Sequence, residues 1–151
     1  MMQDLKVLNS KAVKELTKKI SSQFGFAEKL DYAYLEGSDG KVYLVNKELA
    51  DMELKRLRIH SLGLCLGEHS KDGFVLTIEG SQLIGPKCTK NVIELPDESV
   101  KNWLKGENIE ADAPDGVCIL KCGKDFLGCG AVSRGIAVNK LDKNRRIMSE
   151  D

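Results

Sequence analysis

Two apolar runs in the C-terminal third, Val117-Cys118-Ile119-Leu120-Lys121-Cys122 and Phe126-Leu127-Gly128-Cys129-Gly130-Ala131-Val132, are separated only by Gly123-Lys124-Asp125. Apolar and β-branched residues at this density form strands, and a glycine-led turn between them closes a hairpin. This part of the chain reads as a compact β-module. The segment after the hairpin is basic: Arg134, Lys140, Lys143, Arg145 and Arg146 stand against Asp142 alone.

That basic segment is hidden by the overall composition. Lys plus Arg and Asp plus Glu number 23 each, so the net charge is zero. The charges are nonetheless segregated. Glu94, Asp97, Glu98, Glu107, Glu110, Asp112 and Asp115 precede the hairpin and face only Lys101 and Lys105 in the same stretch. Opposite clusters this close give the C-terminal half a local field that the sum conceals. A β-module closing in cations offers a surface to a polyanion, and RNA is the natural candidate. Arg145 and Arg146 suit phosphate because a planar guanidinium binds two oxygens at once. Lys140 and Lys143 extend the same surface, and Arg134 can join it.

Upstream of the hairpin, Asn91 to Leu95 reads as a strand. Pro96-Asp97-Glu98-Ser99 opens a helix that runs to Lys105, with acidic residues where the helix dipole favours them. Gly106 stops that helix. Asn108 to Asp115 reads as a polar link. Trp103 follows Val100 at helical spacing and belongs to a core or an interface.

The first part of the chain alternates helices and strands. Val13, Leu16 and Ile20 mark one apolar stripe on a helix over 11–22, capped by Asn9 or Ser10. Its other face carries Lys11, Lys14, Lys18 and Lys19, a solvated surface in the simplest reading. Tyr32 to Glu36 and Val42 to Asn46 flank a Gly37-Ser38-Asp39-Gly40 turn and form a hairpin. A helix over 48–58 comes next, then a strand pair, 62–67 and 74–78, turning near Lys71-Asp72-Gly73. A short helix over 79–84 ends at Gly85-Pro86, the strongest boundary signal in the chain.

With 151 residues and 42% hydrophobic content, the chain can form one domain or two small ones sharing an interface. Cys65, Cys88, Cys118, Cys122 and Cys129 are odd in number, and no secretory leader pattern precedes them. Buried thiols in a reducing cytoplasm are the expectation. No apolar run is long enough to span a bilayer. The cysteines contain no Cys-x-x-Cys pair, and Cys118 and Cys122 lie too far apart along one strand for tetrahedral pairing, so no metal site is expected. His60 and His69 are the only imidazoles, and neither sits in a catalytic motif. Asp31, Glu36 and Asp39 surround a turn and read as solvated.

The second half resembles a PUA domain, the small RNA-binding β-barrel first named from pseudouridine synthases and archaeosine transglycosylases. A strand leads into a short helix ending in Lys105-Gly106, a polar loop succeeds it, and Phe126-Leu127-Gly128-Cys129-Gly130 is similar to the family's leucine-glycine-x-glycine segment. The whole chain is similar to the Nip-seven group of ribosome-biogenesis factors, through its order of elements and Ser61-Leu62-Gly63-Leu64-Cys65-Leu66-Gly67. Leu127-Gly128-Cys129-Gly130 with Asn139 and Lys143-Asn144-Arg145-Arg146-Ile147 also resembles the PUA-like appendage of Fmu/Sun-type rRNA cytosine methyltransferases.

These resemblances imply an α+β protein: an N-terminal mixed α/β domain over 1–86 and a C-terminal PUA-type pseudo-β-barrel over 87–151. They imply a non-catalytic, cofactor-free cytoplasmic protein binding rRNA or pre-rRNA, through Arg134, Lys140, Lys143, Arg145, Arg146 and Gly106. The Nip-seven likeness implies rRNA processing in large-subunit biogenesis. The methyltransferase likeness implies a stand-alone RNA-binding accessory of an RNA-modifying enzyme. In either case the N-terminal domain is expected to dock ribosome-assembly or RNA-modification proteins. A rival reading places an enzyme site in that domain, and it requires a deep pocket lined by His60, His69 or Asp31.

Overall fold

The computed structural model describes residues 5–50 and 63–143, without the side chains of 49 and 50. Fifteen residues, Ser10–Phe24, form helix α1. The Asn9 side chain caps it by accepting from the Ala12 N–H at 2.9 Å. The helix outlasts the 11–22 expectation because Phe24 continues the Leu16 and Ile20 stripe, and all three are buried.

Strands β1 (Leu5–Val7), β2 (Ala33–Gly37), β3 (Lys41–Val45), β4 (Leu64–Ser70) and β5 (Gly73–Leu76) form the first sheet in that order. Every neighbouring pair in it is antiparallel. The two expected hairpins are β2–β3 and β4–β5. Helix α2 is described over Lys47–Ala50, and the rest of the expected 48–58 helix lies outside the described residues, as do His60, Ser61 and Leu62. Helix α3 (Ile78–Ile84) comes after β5, capped by the Thr77 hydroxyl.

A 3-10 turn over Gly85–Lys87 leads out of α3. Gly85 does not loosen this junction as its residue type suggests, for it has ordinary helical angles. Glycine is needed there for close approach: a Cβ would run into the Phe126 ring.

The second sheet comprises β6 (Val92–Glu94), β7 (Ile109–Glu110), β8 (Gly116–Cys122), β9 (Asp125–Ser133) and β10 (Ile136–Asn139), ordered β6-β8-β9-β10-β7. β6 pairs parallel with β8, and the other pairs are antiparallel. Helix α4 (Asp97–Leu104) connects β6 to β7. Two strands are additions to the sequence reading. β7 lies inside the expected polar link and β10 inside the expected basic segment. Both are short and depend on strand pairing, β10 with β9 and with β7, rather than on their own composition.

The β8–β9 hairpin is largely apolar between its exposed ends because both of its faces are covered there. Val117, Ile119, Phe126 and Cys129 join the core built by Leu16, Ile20, Phe24, Val42, Leu66 and Phe74. Cys118, Leu120, Leu127 and Val132 face the other way, onto Leu95, Trp103 and Leu141. The sheets therefore part near Gly85-Pro86 in connectivity while sharing a core. Burying large side chains such as Phe24, Phe74 and Trp103 is worth about 2–3 kcal/mol apiece. Polar links cross the junction too. The Leu76 N–H donates to the Cys129 Sγ at 3.3 Å, and the Gly128 N–H donates to the buried Ser81 Oγ at 2.9 Å. Among the described residues no helix is long and apolar enough to cross a membrane.

Candidate nucleic-acid interface

Strand β10 decides where the cations of the C-terminal segment stand. Arg134 and Gly135 make the two-residue turn that enters it, both with positive φ, 52° and 78°. This is the turn geometry that matches the twist of a hairpin. Asp115 holds it, accepting from the Arg134 N–H at 3.1 Å. Glu110 and Asp112 share a shallow depression with Arg134. Arg134 thus sits among carboxylates.

Lys140 lies at the other end of β10. The four extended residues of β10 run between the two, about 13 Å. Arg134 and Lys140 therefore stand at opposite ends of β10. Lys143 is exposed, and Arg145 and Arg146 lie outside the described residues.

The Lys140 end is built around Asn139, which is 8% exposed. Its Nδ2 donates to the Trp103 carbonyl at 2.8 Å and to the Glu107 carbonyl at 3.1 Å. Its Oδ1 accepts from the Leu141 N–H at 2.9 Å. Its own N–H donates to the Asn108 Oδ1, also at 2.9 Å. One side chain thereby ties the loop after α4 to the end of β10. Gly106 is in that loop with φ of 98°, a conformation that disfavours any side chain, and its N–H donates to the Trp103 carbonyl at 2.9 Å. Gly106 and Lys140 thus fall at the same end of the sheet.

Lys140 is not a free cation. Its ammonium pairs with Asp72, on the β4–β5 turn, at 3.3 Å. Beside it Lys41 pairs with Asp142 at 3.7 Å, which raises the Lys41 pKa. Two ion pairs strap the segment leaving β10 onto the first sheet. Sequence reasoning missed Asp72 and Lys41 as partners of this segment, since nothing local signals a contact between residues so distant in the chain.

Trp103 is fully buried, with its Nε1–H donating to the Leu127 carbonyl at 2.8 Å. Its ring lies over Gly130, where a Cβ would stand 2.9 Å from Cη2, giving the leucine-glycine-x-glycine segment a packing reason. Burial pushes the thiols of Cys65, Cys88 and Cys118 up to about 11, and that of Cys129 further. Cys122 also rises to about 11, chiefly because its Sγ–H donates to Asp97. Thiols held protonated are poor nucleophiles and metal ligands. Among the described residues no group of three or more His, Cys, Asp or Glu could hold a metal. His69 is at the surface between Glu36 (3.2 Å) and Lys19 (3.4 Å). Asp31 is 89% exposed and pairs with Lys47. Both are at the surface, and His60 lies outside the described residues.

Residues 90–147 match the family model of the methyltransferase RsmF PUA domain. The matched stretch is the second sheet with its helix and the segment after β10. The second sheet is a PUA-type half-barrel. The ribosomal RNA small subunit methyltransferase F of Shewanella oneidensis is 30% identical over 110 residues, covering 70% of this chain and 22% of that protein. The protein of the same name from Aeromonas salmonicida is 26% identical over 125 residues, covering 82% of this chain and 25% of its own length. Both matches are longer than the stretch from residue 90 to the end, so they reach into the first sheet. The chain spans a quarter or less of the length of these relatives. Of the two likenesses, to the Nip-seven group and to the appendage of Fmu/Sun-type methyltransferases, the matches fall on the second.

Proposed function

We propose that these residues form an RNA-binding unit that works on ribosomal RNA and carries no chemistry of its own. The observation that carries this reading is the match of residues 90–147 to a PUA domain of an rRNA methyltransferase, a stretch that takes in the whole β6–β10 sheet. Its contact surface is the end of the half-barrel where Gly106, Lys140 and Lys143 stand, and the chain runs on from there through the cations Arg145 and Arg146. Arg134, among its carboxylates, contributes little. Backbone phosphates are the expected ligands, since the unit offers few exposed aromatics for base stacking.

The finer reading is recognition of small-subunit rRNA in the service of methylation, whether by a partner enzyme or by further sequence. Two units, 1–86 and 87–151, divide the labour in this reading, and the unpaired thiols suit a reducing cytoplasm. The order of elements, an α/β unit ahead of a half-barrel, keeps large-subunit assembly as the second reading. Cross-linking the protein to RNA in its own cells and sequencing the attached RNA separates them. Cross-links concentrated on small-subunit rRNA support the first, and cross-links on large-subunit precursors support the second. Recovery of no rRNA above background rejects both.

A further inference from the structure

A groove of about 950 Å³ runs between α1 and the segment from Phe26 to Tyr34, on the first sheet and outside the half-barrel. Its floor is apolar, formed by Leu8, Val13, Phe26, Leu30 and Tyr34. Lys14 and Lys18 stand on the α1 wall, Lys29 on the opposite wall, and Lys47 at the margin. The acidic groups nearby are already engaged. Glu28 pairs with Lys87 at 2.9 Å, and Asp31 pairs with Lys47 at 2.6 Å. Among the described residues Lys14 and Lys18 have no ion-pair partner, while Lys29 is close enough to Asp31 to help lower the pKa of that carboxyl. Tyr32, 42% exposed, lines the same groove, one of the few large apolar side chains left open to water.

We propose that this groove binds single-stranded RNA, with phosphates on Lys14, Lys18 and Lys29 and a base stacked on Tyr32. The inference rests on the RNA-binding reading above and adds a second contact to it. Cations on both walls, with Lys14 and Lys18 unpaired on the α1 side, select a polyanion. Lysine provides mobile point charges that follow a backbone without reading sequence, and an exposed aromatic over an apolar floor takes a base face of any identity. The groove lies at the upper end of the size of small-molecule pockets, about 300–1,000 Å³, and opens to solvent. An acidic polypeptide would satisfy the lysines but would leave Tyr32 without a stacking partner.

The test uses the full chain and an oligouridylate carrying 4-thiouridine. Irradiation should cross-link it to peptides containing Tyr32 or α1. Lys14→Glu/Lys18→Glu/Lys29→Glu should lower the slope of log affinity against log salt by about 2, since each single-strand phosphate contact contributes about 0.7. Tyr32→Ala should weaken binding about tenfold, while Tyr32→Phe, which keeps the ring, should bind like the wild type. These side chains are at the surface, and a thermal transition reports that each variant folds. Cross-links confined to residues 90–147, with an unchanged salt slope in the triple variant, overturn the groove and leave the half-barrel reading standing. Cross-links confined to the groove support this inference and count against the half-barrel. Displacement of the RNA by an oligoglutamate peptide at equal concentration, with Tyr32→Ala binding like the wild type, assigns the groove to an acidic peptide and overturns it as well.

Discussion

Replacing Asn139 by alanine removes the clasp on which the proposed RNA-binding end depends. Three hydrogen bonds of the side chain go: two donated to the Trp103 and Glu107 carbonyls and one accepted from Leu141. At a net worth of about 1 kcal/mol each, the variant should lose about 3 kcal/mol of stability. That is a large share of the roughly 5–15 kcal/mol typical of a folded domain. The Trp103 carbonyl still accepts from Gly106, so the damage should stay local to the loop rather than unravel α4. In urea, with an m-value of about 2 kcal/mol/M, the midpoint should fall by about 1.5 M with m unchanged. Hydrogen exchange should show lost protection at Gly106 and Glu107, whose amides donate to Trp103 and Asn102. Asn139→Asp keeps the acceptor but loses both donors and should be destabilised as well. A loss below about 1 kcal/mol, with protection of the loop amides intact, would refute the reasoning.

Gly106→Ala must adopt a φ near 98°, and the strain should cost about 1–3 kcal/mol in the same urea titration. An unchanged midpoint would show that the loop relaxes freely. Asp72→Ala frees the Lys140 ammonium, so stability should move by less than about 1 kcal/mol while RNA binding at low salt tightens. Weaker binding would contradict the strap. The buried thiols of Cys118 and Cys129 have folded pKa values raised above the ordinary 9.0. The unfolded chain then loses their protons first as pH rises, so their stabilising contribution is intact below the unfolded pKa and declines above it. Each such thiol approaches a slope of about 1.4 kcal/mol per pH unit once its unfolded form is fully ionised, giving roughly 2 kcal/mol for the pair over the first unit above the unfolded pKa. Denaturant titrations stepped from neutral pH through about pH 10 measure the slope, and a flat profile would contradict the burial.

The half-barrel was legible where pattern is local. The β8–β9 hairpin, the α4 stop at Gly106 and the Asn9 cap follow from spacing and residue type. β7 and β10 were not legible, because a two-residue and a four-residue strand carry no period of their own and exist by pairing with neighbours. The apolar density of the hairpin marked it as buried but did not say that Val117 and Ile119 of β8 face the first sheet while Cys118 and Leu120 face Trp103. That division is fixed by packing across the Gly85 junction. At the site, residue types pointed to the cations, yet the reversal of the chain at Arg134 puts that residue at the far end of β10. Charge runs read along a sequence assume a shared surface, and a strand running through the run separates its ends.

The most direct test of the central claim measures RNA affinity of the intact chain across salt, for the wild type and for Lys143→Glu/Arg145→Glu/Arg146→Glu, on a folded fragment of small-subunit rRNA. If the end of the half-barrel holds phosphates, the slope of log affinity against log salt should fall by about 2–3 in the variant. Affinity at about 0.1 M salt should drop at least roughly tenfold. An equal affinity and an equal slope in a variant that keeps its thermal transition would contradict the account.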